Sequence, residues 1–186
     1  MKNKQVKCGY KLTNHETKSM FCYGNEDIKK IIWSLKTDSK FYKSENGKNL
    51  IESVRKEIQS DTKTAVVCVP SSSFWQNKKS FDHMHVFIKN CVKDMKYIPY
   101  AIVPRLNKDL QKGLNKQDRQ SQTFGAYELS NYFKYFLKTI SGEWNILIID
   151  DVKTTGSTLN ACAKVVEDYL DKQGVNIKCL TIAYEA

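Results

Sequence analysis

The residues with the clearest chemical potential lie in one segment, NILIIDDVKTTGSTL, at positions 145–159. An apolar run is followed by two adjacent carboxylates, Asp150 and Asp151, and then by a turn rich in hydroxyl side chains. If a helix begins after this turn, its exposed N–H groups and its dipole attract an anion. Two carboxylates would repel the same anion, so we expect them to hold hydroxyl groups or a divalent cation instead.

The turn carries the groups that would bind such an anion. Gly156 permits close approach of the backbone and a positive φ angle. Hydroxyl donors are supplied by Thr154, Thr155, Ser157 and Thr158. A ribose 5-phosphate offers both partners, since its ring hydroxyls suit the carboxylates and its phosphate suits the turn. The alternative is an ordinary strand–turn–helix connection with a Ser or Thr cap, but the combination of apolar run, two acids and TTGST favours a ligand site.

These groups must be positioned by a strand that ends at the acids and by a helix that follows. The continuous apolar run at 145–150 predicts a buried strand, and apolar residues at helical spacing over 159–170 predict a helix that ends near Gly174. Further strands are predicted at 64–70, 100–104 and 175–184, with helices at 26–35, 50–58 and 81–95 between them. This order predicts an α/β fold with a mainly parallel sheet flanked by helices, which binds ligands at its carboxyl edge.

The chain is predicted to have two parts. Residues 1–60 form a small N-terminal cap, or hood, with two amphipathic helices and a short hairpin made from VKCGYKL and KSMFCYG, and residues 61–186 form the α/β core.

The composition, 41% hydrophobic and 27% charged, is typical of a folded protein and excludes collagen-like and disordered classes. No apolar run approaches the roughly 18 residues that span a membrane. The absence of a signal peptide and of CxxC pairs among the six cysteines predicts a cytoplasmic protein with reduced thiols.

Positive charge is concentrated in the first three quarters of the chain. The net charge is +10; residues 1–140 carry 26 basic and 13 acidic side chains, whereas residues 141–186 carry 4 and 7. A basic surface suits a polyphosphate substrate or a nucleic acid. A lysine-rich composition that serves only solubility is the alternative.

The segment at 145–159 resembles the 5-phosphoribosyl-1-pyrophosphate (PRPP) signature of type I phosphoribosyltransferases. The resemblance implies that Asp150 and Asp151 contact the ribose hydroxyls and that the turn binds the 5-phosphate through Thr154, Thr155, Gly156, Ser157 and Thr158. It also implies Mg²⁺ bound with PRPP, and transfer of the phosphoribosyl group to a nitrogenous acceptor, such as a nucleobase, with release of pyrophosphate. The hypoxanthine-guanine branch has a purine-contacting Asp where this chain has Thr154, which disfavours a 6-oxopurine acceptor.

A second, weaker resemblance is to ComF-type phosphoribosyltransferases. It rests on Gln111, Leu114, Arg119, Gln122, Gly125, Ala126 and Tyr127. By analogy with the type I enzymes, a pyrophosphate loop is expected at Ser71, Ser72 and Ser73. A flexible lid is expected over residues 105–123, with Arg105, Lys108, Lys112 and Arg119 closing on the polyphosphate. The catalytic candidates are Asp151 and Arg119.

The chain departs from the ComF pattern at its N-terminus. ComF proteins begin with a zinc finger of two CxxC pairs, whereas only Cys8 and Cys22 remain here, and His15, His83 or His85 would have to complete a site. We therefore expect no zinc site. The sequence indicates no Ser–His–Asp set. The alternative function is a PRPP-sensing or single-stranded-DNA-associated module in DNA uptake or defence, and a homodimer is compatible with either function.

Overall fold

The computed structural model describes residues 16–59, 63–71, 80–93, 95–105, 125–170 and 174–185. Its elements, in chain order, are β1 (Glu16–Cys22), α1 (Glu26–Thr37), a 3₁₀ turn (Phe41–Lys43), α2 (Glu45–Ile58), β2 (Thr64–Cys68), α3 (His83–Cys91), β3 (Lys96–Tyr97), β4 (Ile102–Pro104), β5 (Tyr127–Leu129), α4 (Asn131–Thr139), β6 (Trp144–Lys153), α5 (Ser157–Tyr169) and β7 (Val175–Tyr184).

The main sheet has five strands in the order β1-β7-β6-β2-β3, and every neighbouring pair is parallel. This confirms the predicted α/β class with a mainly parallel sheet flanked by helices. The shorter strand β2 pairs with β6 only as far as Cys68 and Ile149, whereas β6 continues against β7 to Lys153. The last residues of β6 therefore extend beyond β2 at the carboxyl edge.

The segment at 100–104 is not a strand of this main sheet. Its described strand, β4, pairs antiparallel with β5 in a separate two-stranded sheet. The edge position beside β2 is taken by β3. Between β3 and β4 the chain turns through Tyr100, which has a φ of 49°, and this turn leads β4 away from the edge.

Each face of the main sheet is covered by helices. On one face α1, α2 and α3 bury an apolar cluster that includes Val54 and Phe87, and on the other α4 and α5 bury Phe133 and Val166. In α2 the apolar residues at helical spacing are all buried: Leu50, Ile51, Val54 and Ile58. Burying a side chain of this size contributes about 1.5–3 kcal/mol. The helices predicted at 26–35, 50–58 and 81–95 are confirmed, with shifted ends.

The N-terminal segment joins the main sheet. The sequence KSMFCYG, predicted as half of a hairpin in the cap, instead contributes to edge strand β1, which pairs with β7. Buried Ser19 and Thr181 share a hydrogen bond of 2.7 Å between their hydroxyls across this pairing. The other half of the predicted hairpin, VKCGYKL, lies outside the described residues, so the hairpin itself stays a prediction. The division at residue 60 stays a prediction.

The described cysteines are free thiols. Cys68, Cys91, Cys162 and Cys179 are buried and Cys22 is exposed, while Cys8 lies outside the described residues. None of the described helices combines the length and the apolar character required to cross a bilayer.

Candidate functional site

The two adjacent acids lie near the end of β6, and both line a cleft of about 270 Å³ at the carboxyl edge of the sheet. Successive side chains of a strand point to opposite faces. Asp151 accordingly meets α1 and α3, whereas Asp150 lies toward α5. The cleft is bounded by the end of β2 and by the starts of α3 and α5, which supply Ser71, His83 and Thr158.

One side of the cleft is a single stretch of chain, residues 150–158, which we call the contiguous wall. Gly156 has a φ of 76° and immediately precedes α5. The Lys153 side chain is buried beneath it, and Lys153 Cε lies 3.0 Å from where a Cβ at position 156 would stand. The Ser157 N–H donates to Thr155 Oγ1 at 3.4 Å. Gly156, which precedes α5, offers no capping side chain, so the N-terminus of this helix can receive an anion through N–H groups other than that of Ser157, which Thr155 already engages.

The opposite side brings together three distant residues, Lys36, Ser71 and His83, which we call the assembled wall. His83 Nε2 lies 2.7 Å from Asp151 Oδ2, and Lys36 Nζ lies 3.2 Å from the same oxygen. The other ring nitrogen of His83, Nδ1, lies 3.3 Å from Ser71 Oγ. The structure thus forms a Ser–His–Asp chain that the sequence did not indicate.

The two carboxyl groups have different acidities. Burial, followed by repulsion from Asp151, raises the pKa of Asp150 to about 7. Burial also opposes ionisation of Asp151, but the hydrogen bond from His83 and the charge of Lys36 outweigh it and hold the pKa of Asp151 below its ordinary value. At neutral pH, Asp151 is therefore a carboxylate, while Asp150 is divided between its charged and neutral forms.

Several predicted site residues meet at this cleft. Asp150, Asp151, Thr158 and Ser71 line it, and the exposed Thr154 and Thr155, with Gly156 and Ser157, form the adjoining turn. Arg105 is exposed after β4 and is not among the lining residues; its Nε lies 3.9 Å from Glu128 Oε2. The remaining candidates lie outside the described residues: Ser72, Ser73, Lys108, Lys112 and Arg119.

Sequence reasoning missed the roles of Lys36 and His83. His83 could have been found, because it opens the helix that follows β2, and in a parallel sheet that helix begins beside the carboxyl ends of the neighbouring strands. Lys36 gave no such signal, since its approach to Asp151 depends on how α1 packs. Tyr127 also lines the cleft, and burial raises its pKa to about 12.

The histidines do not form a metal site with the other described residues. His85 lies away from His83, with its Nδ1 2.9 Å from the Tyr97 hydroxyl. In the part of the chain that the structure describes, no three His, Cys, Asp or Glu side chains are grouped to hold a metal. Cys8 and His15 lie outside that part.

No family model and no curated protein matches the chain. Among solved structures, the chain is similar to a hypoxanthine phosphoribosyltransferase from Staphylococcus aureus. The orthorhombic crystal form is 15% identical over 85% of this chain and 62% of that chain, with a TM-score of 0.36. The tetragonal crystal form is 13% identical over 87% of this chain and 73% of that chain, with a TM-score of 0.38. The chain thus spans less than two thirds of the first structure. Both TM-scores lie below 0.5, so the function is inferred from the site.

Proposed function

We propose that the protein is a phosphoribosyltransferase, which binds PRPP and transfers the 5-phosphoribosyl group to a nitrogenous acceptor with release of pyrophosphate. The observation that carries this proposal is the meeting of the Asp150–Asp151 pair and the Gly156 turn along one edge of a cleft of about 270 Å³. Pockets for drug-sized ligands start at roughly 300 Å³; the cleft lies just below that volume and suits a smaller ligand, of sugar-phosphate size.

The carboxyl pair suits the ring hydroxyls of a ribose. A hydroxyl group both donates and accepts a hydrogen bond. Asp151, as a carboxylate, accepts from one hydroxyl. Asp150, whose pKa of about 7 leaves it partly protonated, can accept from a hydroxyl or donate to one. Neighbouring sugar hydroxyls therefore find complementary partners on two adjacent residues.

The turn suits the 5-phosphate. The N–H groups at the start of α5 and the hydroxyls of the turn are donors, and the helix dipole favours an anion there. The buried Lys153 beneath Gly156 adds a cationic side chain. The ammonium of Lys36 pairs with Asp151, which reduces the repulsion that this carboxylate exerts on a phosphate.

Magnesium is expected to enter with PRPP, because this ion is usually held by substrate phosphates and water with few protein ligands. A carboxylate oxygen of Asp150 is a suitable donor for it, whereas Asp151 Oδ2 already contacts His83 and Lys36. When bound, the ion would help to neutralise the charge on the departing pyrophosphate. Arg119 and the serine loop at 71–73 are proposed to contact the same group.

The experiment is calorimetric binding of PRPP with Mg²⁺, together with pyrophosphate release in the presence of a panel of nucleobases. We expect the wild type to bind PRPP and the double variant Asp150→Asn, Asp151→Asn to lose at least about 100-fold in affinity, since each charge-assisted hydrogen bond contributes about 1.5–3 kcal/mol. The control is the double variant Glu167→Gln, Asp168→Asn, which removes two carboxylates at the far end of α5, where they pair with Lys164.

The outcomes separate the functions. Pyrophosphate release with one base would support the transferase and identify its acceptor. PRPP binding without release for any base would instead indicate a sensing module. Failure of the wild type to bind PRPP would overturn both.

A further inference from the structure

The Ser71–His83–Asp151 chain is built from three separate elements and is buried. The exposed fractions of these residues are 7%, 6% and 8%, respectively. Ser71 lies three residues after β2, His83 is in the first turn of α3, and Asp151 is near the end of β6. Because each is held by its own element, the imidazole is fixed relative to the carboxylate by the packing of α3 on the sheet.

The contacts determine how His83 is protonated at one nitrogen. An ionised carboxylate only accepts hydrogen bonds, so Nε2 must carry the proton that it donates to Asp151 Oδ2. In the neutral ring, Nδ1 then accepts from the Ser71 hydroxyl; in the charged ring, Nδ1 donates to it. In either state the Nε2–H group of His83 donates a hydrogen bond to Asp151 Oδ2.

Lys36 holds the same oxygen less firmly. It is a long side chain from the last turn of α1 with 37% of its area exposed, whereas His83 is buried. A flexible, partly solvated ammonium fixes the direction of its partner weakly. Both contacts fall on Asp151 Oδ2, so the orientation of Oδ1 depends mainly on the buried imidazole.

We propose that His83 is a positioning residue that fixes Asp151 against the 2-hydroxyl of a ribose ring, and thereby makes the cleft prefer a ribose phosphate to a 2-deoxyribose phosphate. This rests on the proposed function, since it takes a sugar phosphate as the ligand. A site that hydrogen-bonds a substrate hydroxyl through a buried polar group discriminates against the analogue that lacks it, because the group is then left unpaired. The discrimination requires the acceptor to be fixed, which is what His83 provides.

The test compares two amide substitutions at position 83 that differ in reach. The glutamine of His83→Gln can place a donor N–H near the position of Nε2, whereas the shorter side chain of His83→Asn reaches only the position of Nδ1. The probes are ribose 5-phosphate, 2-deoxyribose 5-phosphate and inorganic phosphate, measured by calorimetry. The control is His85→Asn, which changes the same residue type on the same helix at a position that contacts Tyr97.

We expect the wild type and His85→Asn to bind ribose 5-phosphate roughly 10- to 100-fold more tightly than the deoxy analogue, the range of one charge-assisted hydrogen bond. The ratio of the affinity for ribose 5-phosphate to that for 2-deoxyribose 5-phosphate should fall below about threefold in His83→Asn and stay above about tenfold in His83→Gln. The affinity for inorganic phosphate should be unchanged in both variants. If His83 had only a structural role, its substitution would lower the affinity for all three probes together.

Three results would overturn this inference. The first is that the wild type binds the two sugar phosphates with equal affinity. The second is that the ratio of these affinities is unchanged in His83→Asn. The third is that the preference for ribose 5-phosphate disappears in both His83 variants. If the ratio is lost in Asp151→Asn but kept in His83→Asn, the positioning role fails while the proposed function stands. If ribose 5-phosphate binds equally well to the Asp150, Asp151 double variant, the proposed function itself fails.

Discussion

The two walls of the cleft meet at Asp151 but are constructed differently. The contiguous wall, residues 150–158, passes from strand to turn to helix; its two ends line the cleft and the turn between them adjoins it. The assembled wall draws Lys36, Ser71 and His83 from α1, the end of β2 and α3. Under the proposed function, the first would supply the groups that contact a sugar phosphate, and the second would adjust the charge and orientation of one of them. The contiguous wall is thus local in sequence, whereas the assembled wall depends on tertiary packing.

Substituting Gly156 should produce the largest effect, because the contiguous wall depends on its backbone. In Gly156→Ala, the new Cβ would stand 3.0 Å from Lys153 Cε, and the φ of 76° is unfavourable for alanine. We expect PRPP affinity to fall by about 100-fold and unfolding free energy by about 1–2 kcal/mol. Calorimetry and urea unfolding would measure the two losses.

Gly142→Ala is the matched control for this change. Gly142 has a φ of 78°, and a Cβ there would meet no atom within 4 Å. It should lose similar stability with unchanged PRPP affinity. Equal losses of affinity in both variants would show that general destabilisation, and not the shape of the turn, explains the result.

The pH dependence of stability should distinguish the two acids. The native pKa of Asp150 is about 7, above the unfolded value near 3.9. Between these values the native state binds more protons than the unfolded state, so this group lowers the free energy of unfolding as pH rises. Asp150→Asn should therefore be more stable than the wild type at pH 8 by on the order of a few kcal/mol, and the difference should shrink toward pH 5. Urea unfolding at pH 5, 6, 7 and 8 would measure it.

Asp151→Asn should behave in the opposite way. The pKa of Asp151 is lowered, so its contribution to stability is present above its unfolded pKa and is lost only as pH falls through its native value. The variant should be less stable than the wild type, and the loss should be largest near pH 5 and smaller at pH 8, because removing the Asp151 charge also removes its repulsion of Asp150 as that group ionises. An Asp151→Asn variant that is more stable than the wild type at pH 5 would contradict the assignment of Asp151 as the carboxylate held by Lys36 and His83.

The same contrast explains what could be predicted from the sequence. The strand at 145–150, the helix after it and the position of both acids at the carboxyl edge were predictable, because apolar periodicity and turn residues act over a few positions. The parallel sheet followed from the alternation of strands and helices. The pairing of β1 with β7 and of β4 with β5 did not, since it is decided by contacts between residues far apart in sequence.

The assembled wall shows this limit at the level of single side chains. The patterns predict that His83 lies on a helix, and they place Lys36 just after the end of one. That both reach the same oxygen of Asp151 depends on the packing of α1 and α3 on one face of the sheet. Residues that adjust a site are thus harder to predict than residues that form it.

Removing Lys36 should have a moderate effect confined to charge. In Lys36→Met the ion pair with Asp151 is lost while most of the aliphatic chain is kept. We expect a change in unfolding free energy below about 1 kcal/mol, because the amine is partly exposed. PRPP affinity should fall roughly 3- to 10-fold with a weaker dependence on salt. Lys29→Met is the control, since Lys29 on the same helix pairs with Glu26; an equal loss there would indicate a general charge effect.

Substituting Ser71 should have the smallest effect on PRPP affinity. Ser71 contacts Asp151 only through His83, in the hydrogen-bonded Ser71–His83–Asp151 chain. Its hydroxyl lies 3.3 Å from His83 Nδ1, at the long end of hydrogen-bond distances, and His83 keeps its donor to Asp151 without it. Ser71→Ala should cost less than about 1 kcal/mol of stability and lower PRPP affinity by at most about threefold. Ser19→Ala removes a comparably buried hydroxyl from the β1–β7 pairing and should leave affinity unchanged. If Ser71→Ala lost as much affinity as His83→Asn, the orientation of Asp151 would depend on both hydrogen bonds of the Ser71–His83–Asp151 chain. Ser71 would then be as important as His83 for positioning Asp151.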